Sequence, residues 1–199
     1  QGPVHVNIPL REPFYPNLDQ EIEYSKDIKL IEEYSSEPIL SNHAIRQLIE
    51  ELKTFKKVMI AIGQKKANIK LPEDIESSYP IISDVIANHK NKDGIGHHDL
   101  FLNNLSIKTS RSLTPDLLIT LGGATISKSL KTFIRTHRPN HWHIQSKGPV
   151  ADTFQSLTKI IRTYPSNFIE NVLLNREGNS SYLDSWKKLD AETRKEIRG

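Results

Sequence analysis

Asp116-Leu117-Leu118-Ile119-Thr120-Leu121-Gly122-Gly123, followed at once by Ala124-Thr125-Ile126-Ser127-Lys128-Ser129-Leu130, decides how this chain is read. A continuous apolar run closed by glycine is typical of a parallel strand buried on both faces. A helix follows, with Ile126, Leu130, Phe133 and Ile134 on one face and Lys128, Lys131 and Arg135 away from it. Strand, glycine turn and helix in this order form half of a βαβ unit.

The same grammar repeats on either side. Upstream, Ser41-Asn42 offers a helix cap before Ile45, Leu48, Ile49 and Leu52, which recur at helical spacing. The apolar runs Val58-Met59-Ile60-Ala61-Ile62-Gly63 and Pro80-Ile81-Ile82-Ser83-Asp84-Val85-Ile86 come next, joined by a stretch without strong helical period. That stretch predicts a short or irregular helix. Downstream lie His141-Trp142-His143-Ile144 and Lys159-Ile160-Ile161. Alternating strands and helices predict an α/β, Rossmann-like domain: a parallel sheet of about five or six strands with helices on both faces.

The ends read differently. In residues 1–10, Val4, Val6 and Ile8 alternate as in a strand, whose partners are expected upstream. Residues 11–38, with Pro13, Pro16 and Pro38, read as an extended connector, of which residues 28–34 can dock as an edge strand. Residues 39–175 hold the regular pattern and form the domain. Residues 176–199 read as a linker too charged for a core element. Its stripe of Tyr182, Trp186 and Leu189 asks for a neighbour in a further domain. The chain begins at Gln1 and not Met, so it is expected to start within a longer protein or to have been trimmed there.

Composition narrows the function. Of 199 residues 36% are hydrophobic and 26% charged, an ordinary globular balance. With no cysteine, a disulfide framework, a thiolate zinc site and a cysteine nucleophile are all excluded, which suits a cytoplasmic protein. A net charge of +3 is too small and too mixed for a nucleic-acid stripe, and the basic cluster Lys56-Lys57 and Lys65-Lys66 is interrupted by an apolar run. No apolar run approaches the ~20 residues of a membrane span.

Several constellations invite chemistry. His97-His98-Asp99 with His137, His141 and His143 supply imidazole, but no carboxylate is fixed beside the His141/His143 pair, so no metal site is assigned. Gly63-Gln64-Lys65-Lys66 lacks the later glycines of a dinucleotide turn. Lys92-Asp93-Gly94 with Asn103-Asn104 has the wrong first residue and too short a span for a thiamine-diphosphate metal motif. No nucleophile-base pair or paired carboxylates emerge from spacing, so no catalytic residue is assigned. The best candidate is the turn itself. Gly122 and Gly123 close the strand, Thr125 or Ser127 caps the helix, and Lys128 adds positive charge where backbone N–H groups and the helix dipole favour an anion. A tight βα turn needs glycine in any case, so the pattern also suits a capped helix with a solvated lysine.

The opening Gly2-Pro3-Val4-His5-Val6-Asn7-Ile8-Pro9-Leu10-Arg11-Glu12-Pro13-Phe14-Tyr15-Pro16 resembles the seam of thiamine-diphosphate enzymes where the pyrimidine-binding domain ends and the central domain begins. Its extended form is similar to that of the menaquinone-pathway synthases of this family. Pro80-Ile81-Ile82-Ser83-Asp84, residues 116–123 and Ser127-Lys128-Ser129-Leu130 also resemble their central domain. The resemblance implies a parent that decarboxylates 2-oxoglutarate on thiamine diphosphate, with Mg2+ or Mn2+, and adds the four-carbon unit to isochorismate. It implies flanking pyrimidine- and diphosphate-binding domains and a homodimer or homotetramer. The activating glutamate and metal motif then lie outside this chain, with no cofactor expected on it. Members place a basic pair at the helix start, linked to substrate carboxylates. Lys128 matches its lysine, and Ser129 departs from the second basic position. Two other readings stay open: an acetolactate-synthase-like carboligase, whose middle domain often holds FAD, and a regulatory domain sensing a small anion at residues 122–128.

Overall fold

A computed structural model describes residues 31–34, 38–64, 71–89 and 94–198. The strand expected in residues 1–10, most of the connector, Lys65-Lys66 and Lys92-Asp93 lie outside the described residues.

The elements follow the sequence pattern closely. In chain order they are β1 (Glu32–Tyr34), α1 (Asn42–Thr54), β2 (Val58–Ile62), α2 (Glu73–Ser78), β3 (Ile81–Ser83), α3 (His98–Phe101), α4 (Ile107–Leu113), β4 (Leu117–Leu121), α5 (Lys128–His137), β5 (Asn140–Ile144), β6 (Leu157–Ile161), α6 (Pro165–Asn171) and α7 (Ser180–Arg198). Short 3-10 turns at Val85–Ala87, Leu102–Asn104 and Leu173–Asn175 complete them. The six strands form one parallel sheet in the order β1-β6-β5-β4-β2-β3.

Alternation of side chains makes two cores from one sheet. Val58, Ile60 and Ile62 of β2, with Leu117, Ile119 and Leu121 of β4, pack against Leu48 and Leu52 of α1 and Phe168 and Ile169 of α6. Met59, Ala61 and Leu118 face the other way, onto Phe101, Leu113, Leu130, Phe133, Ile134 and Trp186. Every residue of β2 and β4 is buried, as the uninterrupted apolar runs require. Ser41 caps α1, its Oγ accepting from the Ala44 N–H at 3.2 Å. β1 docks on the β6 edge, where the Arg162 N–H donates to Tyr34 O at 2.8 Å.

Two expectations change. Ile126 was placed on the buried face of the helix, but α5 starts at Lys128 and Ile126 is 53% exposed. The cause is a carboxylate, described below, that binds the N–H groups of the two residues before the helix. The segment after residue 176 was read as a linker, yet α7 packs its first turns into the domain itself. Tyr182, Leu183 and Trp186 are buried, and the Tyr182 hydroxyl donates to Leu113 O at 2.9 Å. Trp186 meets Phe101 and Phe133 edge-on at 5.8 and 5.9 Å between ring centres. The neighbour that the apolar stripe asked for is the α3–α5 layer. The last two turns of α7 are mostly exposed, which is where its high charge is spent. Among the described residues no helix is long and apolar enough to cross a membrane.

Candidate functional site

Strand order reverses between β2 and β4, since β2 leads to β3 on one side and β4 to β5 on the other. Open α/β sheets place ligands at the carboxyl ends of such strands. In this domain the crevice is closed by backbone. The Gly63 N–H donates to Leu121 O at 2.9 Å, the Gln64 N–H to Ala124 O at 2.8 Å and the Gly123 N–H to Gln64 O at 2.7 Å. The two turns lie so close that a Cβ on Gly63 would overlap Gly123 O, and one on Gly122 would sit 2.8 Å from Gln64 O. Gly122 also has φ +85°, a conformation that L side chains rarely adopt. Gly63 and Gly122 therefore serve close approach, and no dinucleotide turn opens here.

Asp84 follows β3 and is 5% exposed. Its Oδ2 accepts the N–H groups of Ile126 at 2.7 Å and Ser127 at 2.9 Å, and its Oδ1 accepts the Ile86 N–H at 3.2 Å. Ser127 is the cap of α5, its Oγ accepting from the Leu130 N–H at 3.1 Å and donating to Asp99 Oδ1 at 2.5 Å. Thr125, the other cap candidate, lies before the helix and is half-buried. A carboxylate of the chain itself thus stands just before this helix. The N–H groups of Gly123, Ile126 and Ser127 are engaged within the chain.

Lys128 is different. It is exposed and makes no ion pair within 4 Å among the described residues. Asp84 and Asp99 line the same cavity, each with one oxygen engaged just before α5, on Ile126 and Ser127 for Asp84 and on the Ser127 hydroxyl for Asp99. Lys128 borders a cavity of about 300 Å³ with Val85, Ile126, Asn103 and the two aspartates. Ser129 turns inward: it is 9% exposed and its Oγ donates to the Asp99 carbonyl at 3.0 Å. A basic side chain at 129 would have to leave a buried position, so Lys128 has no basic neighbour there. A larger cavity, about 440 Å³, lies near Tyr79 and Arg176. It sits at the amino ends of β2 and β3, the end where such sheets seldom bind ligands.

The described histidines fall into separate groups. His97 Nδ1 faces Asp190 Oδ1 at 3.2 Å, and the same oxygen accepts the N–H groups of Gly96 and His97. His98 is buried, and loss of solvation lowers its pKa although Asp99, Asp84 and Asp190 pull the other way. His137 meets the Ser110 hydroxyl at 2.7 Å. His141 Nε2 and His143 Nδ1 both lie 2.7 Å from Thr120 Oγ1. Gln145 orients the set. Its amide nitrogen donates to Lys147 O and Pro149 O, so its Oε1 accepts from His143 Nε2–H at 3.1 Å. His143 Nδ1 then accepts the Thr120 hydroxyl proton, and His141 Nε2–H donates to that hydroxyl. Among the described residues no three His, Asp or Glu groups are gathered as a metal site.

The sequence singles out Gly122, Gly123, Thr125, Ser127 and Lys128. It missed Asp84 and Asp99 as builders of the site, since their partners lie 43 and 28 residues further along the chain.

The geometry defines a class first: a parallel α/β domain with an exposed lysine, Lys128, at the carboxyl edge of its sheet. The family described as "Middle domain of thiamine pyrophosphate" matches residues 41–198, and the chain belongs to it. Its relatives include proteins named 2-succinyl-5-enolpyruvyl-6-hydroxy-3-cyclohexene-1-carboxylate synthase. That of Cytophaga hutchinsonii is 32% identical over 189 residues, 94% of this chain and 34% of the relative. That of Bacteroides thetaiotaomicron is 32% identical over 182 residues, 86% of this chain and 31% of the relative. That of Rippkaea orientalis is 27% identical over 226 residues, 98% of this chain and 36% of the relative. The chain spans about a third of the length of these curated relatives.

Proposed function

We propose that this chain is the central domain of a 2-succinyl-5-enolpyruvyl-6-hydroxy-3-cyclohexene-1-carboxylate synthase, and that it lends Lys128 to an active site completed by flanking domains. The reading is supported by the named relatives and by one observation: Lys128 keeps an exposed ammonium with no ion pair among the described residues. An unpaired cation at a sheet's carboxyl edge suits the carboxylates of isochorismate.

Thiamine diphosphate, with Mg2+ or Mn2+, would supply the decarboxylating chemistry on 2-oxoglutarate in the whole enzyme, held by the pyrimidine- and diphosphate-binding domains across a homodimer or homotetramer in the cytoplasm. The part of this chain is binding and orientation. Lys128 attracts the acceptor's negative charge, and a well-placed charge near the surface contributes about 1–2 kcal/mol to binding. Gly122 and Gly123 set the turn that presents it, Thr125 leads into the helix, and Ser127 fixes the helix start.

Lys128→Ala in the full-length enzyme is expected to raise the isochorismate KM about tenfold while leaving thiamine diphosphate affinity unchanged. Unaltered kinetics would remove Lys128 from the site. Calorimetric titration of thiamine diphosphate with Mg2+ into the 199-residue chain is expected to show no binding, and micromolar binding would overturn the assignment of domains.

A further inference from the structure

We propose that Asp84 is a positioning residue for Lys128, an inference that rests on the role given to Lys128 above. Asp84 lies at the end of β3, two strands away from β4 in the sheet, yet its carboxylate reaches the start of α5. One oxygen gathers the Ile126 and Ser127 N–H groups, the two residues immediately before Lys128. The other oxygen is tied to the Ile86 N–H, so the carboxylate cannot turn away without breaking three bonds.

Two effects follow from this placement. The first is geometric. A helix start has unsatisfied N–H groups and frays unless something accepts them. Asp84 and the Ser127 cap both hold the turn of backbone that carries Lys128, and Asp99 holds Ser127 in its capping position through the 2.5 Å bond. The second is electrostatic. An incoming carboxylate would otherwise compete for the Ile126 and Ser127 N–H groups and the positive end of α5. With Asp84 seated there, the anion is directed to the ammonium. Asp84 thereby decides where substrate charge is read without touching substrate.

The test is a double-mutant cycle in the full-length enzyme, with steady-state kinetics for isochorismate and titration of thiamine diphosphate. Asp84→Asn keeps one accepting oxygen but removes the charge. It is expected to raise the isochorismate KM about fivefold to tenfold, with kcat and thiamine diphosphate affinity within about twofold. In the Lys128→Ala background the same change should raise KM no further, because residues acting through one another are not additive. Ser127→Ala, a milder change, should move KM the same way by about threefold. If Lys128→Ala raises KM but neither Asp84→Asn nor Ser127→Ala does, the positioning role is overturned and the Lys128 reading survives. If Lys128→Ala leaves KM unchanged, the reading beneath it fails. A parallel loss of kcat, cofactor affinity and folded enzyme in both network variants would assign Asp84 to stability alone and overturn the inference.

Discussion

The Asp84 carboxylate accepts the Ser127 N–H at 2.9 Å across 43 residues of sequence. This bond joins the end of β3 to the start of α5 and explains why the helix begins at Lys128. It also explains why Ile126, apolar and in phase with the helix, points to solvent. A buried carboxylate in this place has the local role that a bound anion has at other helix starts.

The interlocked turns make neighbouring glycines unequal. A Cβ on Gly63 meets the backbone of Gly123 and Ala124, which has no room to retreat, whereas one on Gly123 finds its nearest atom at 3.4 Å. Gly63→Ala is expected to cost about 2–3 kcal/mol and Gly123→Ala less than about 1 kcal/mol. Urea denaturation of the two variants checks the order, and equal costs would refute the backbone lock.

Trp186 is fully buried against Phe101 and Phe133, although it belongs to a segment of high charge. Trp186→Ala should remove about 3–5 kcal/mol, a substantial share of a domain's stability. Ending the chain at residue 179 should expose the α3–α5 layer and bind a hydrophobic dye. A truncated chain with native melting behaviour would show that α7 is dispensable.

Lys159 is buried on β6, 2.5 Å from Glu51 and 3.3 Å from Glu32, with its ammonium over the Tyr34 and Trp142 rings. Its apolar surroundings make the two halves of the ion pair unequal. Lys159→Met replaces a buried charge with a side chain of similar length and should be tolerated within about 1 kcal/mol. Glu51→Gln leaves the ammonium with the more exposed Glu32 alone, and should cost more, about 1–2 kcal/mol after allowance for solvent. The reverse order in thermal melts would contradict this account.

Burial lowers the pKa of His98 and of His143, the latter against the bond to Gln145 and helped by Arg162. The folded chain therefore binds fewer protons than the unfolded one, whose histidines titrate near about 6.5. Stability is full above that pH and falls as pH drops below it. Urea midpoints at pH 7.5 and 5.5 measure this directly. A midpoint that is equal or higher at pH 5.5 would mean that these rings are not held neutral.

Most of the sheet was legible from sequence because parallel strands buried on both faces leave an unbroken apolar run, as in residues 58–62 and 117–121. The α1 cap at Ser41 and the α5 cap at Ser127 were legible because capping is local, reaching only three residues along the chain. The short helix in the β2–β3 connection was expected from its weak period, and α2 has six residues. The end of the chain was misread because charge dominates its composition, while three side chains decide where α7 packs.

By itself the sequence determined the class of fold, the glycine turn and the lysine that follows it, since each rests on spacing within a few residues. The tertiary structure alone decided what those residues are free to do. Asp84 and Asp99, distant in sequence, occupy the helix start, Ser129 turns inward, and Lys128 is left exposed without an ion pair among the described residues. Hydrogen bonds and burial act between neighbours in space, and a linear pattern carries no record of which distant oxygen arrives at which N–H.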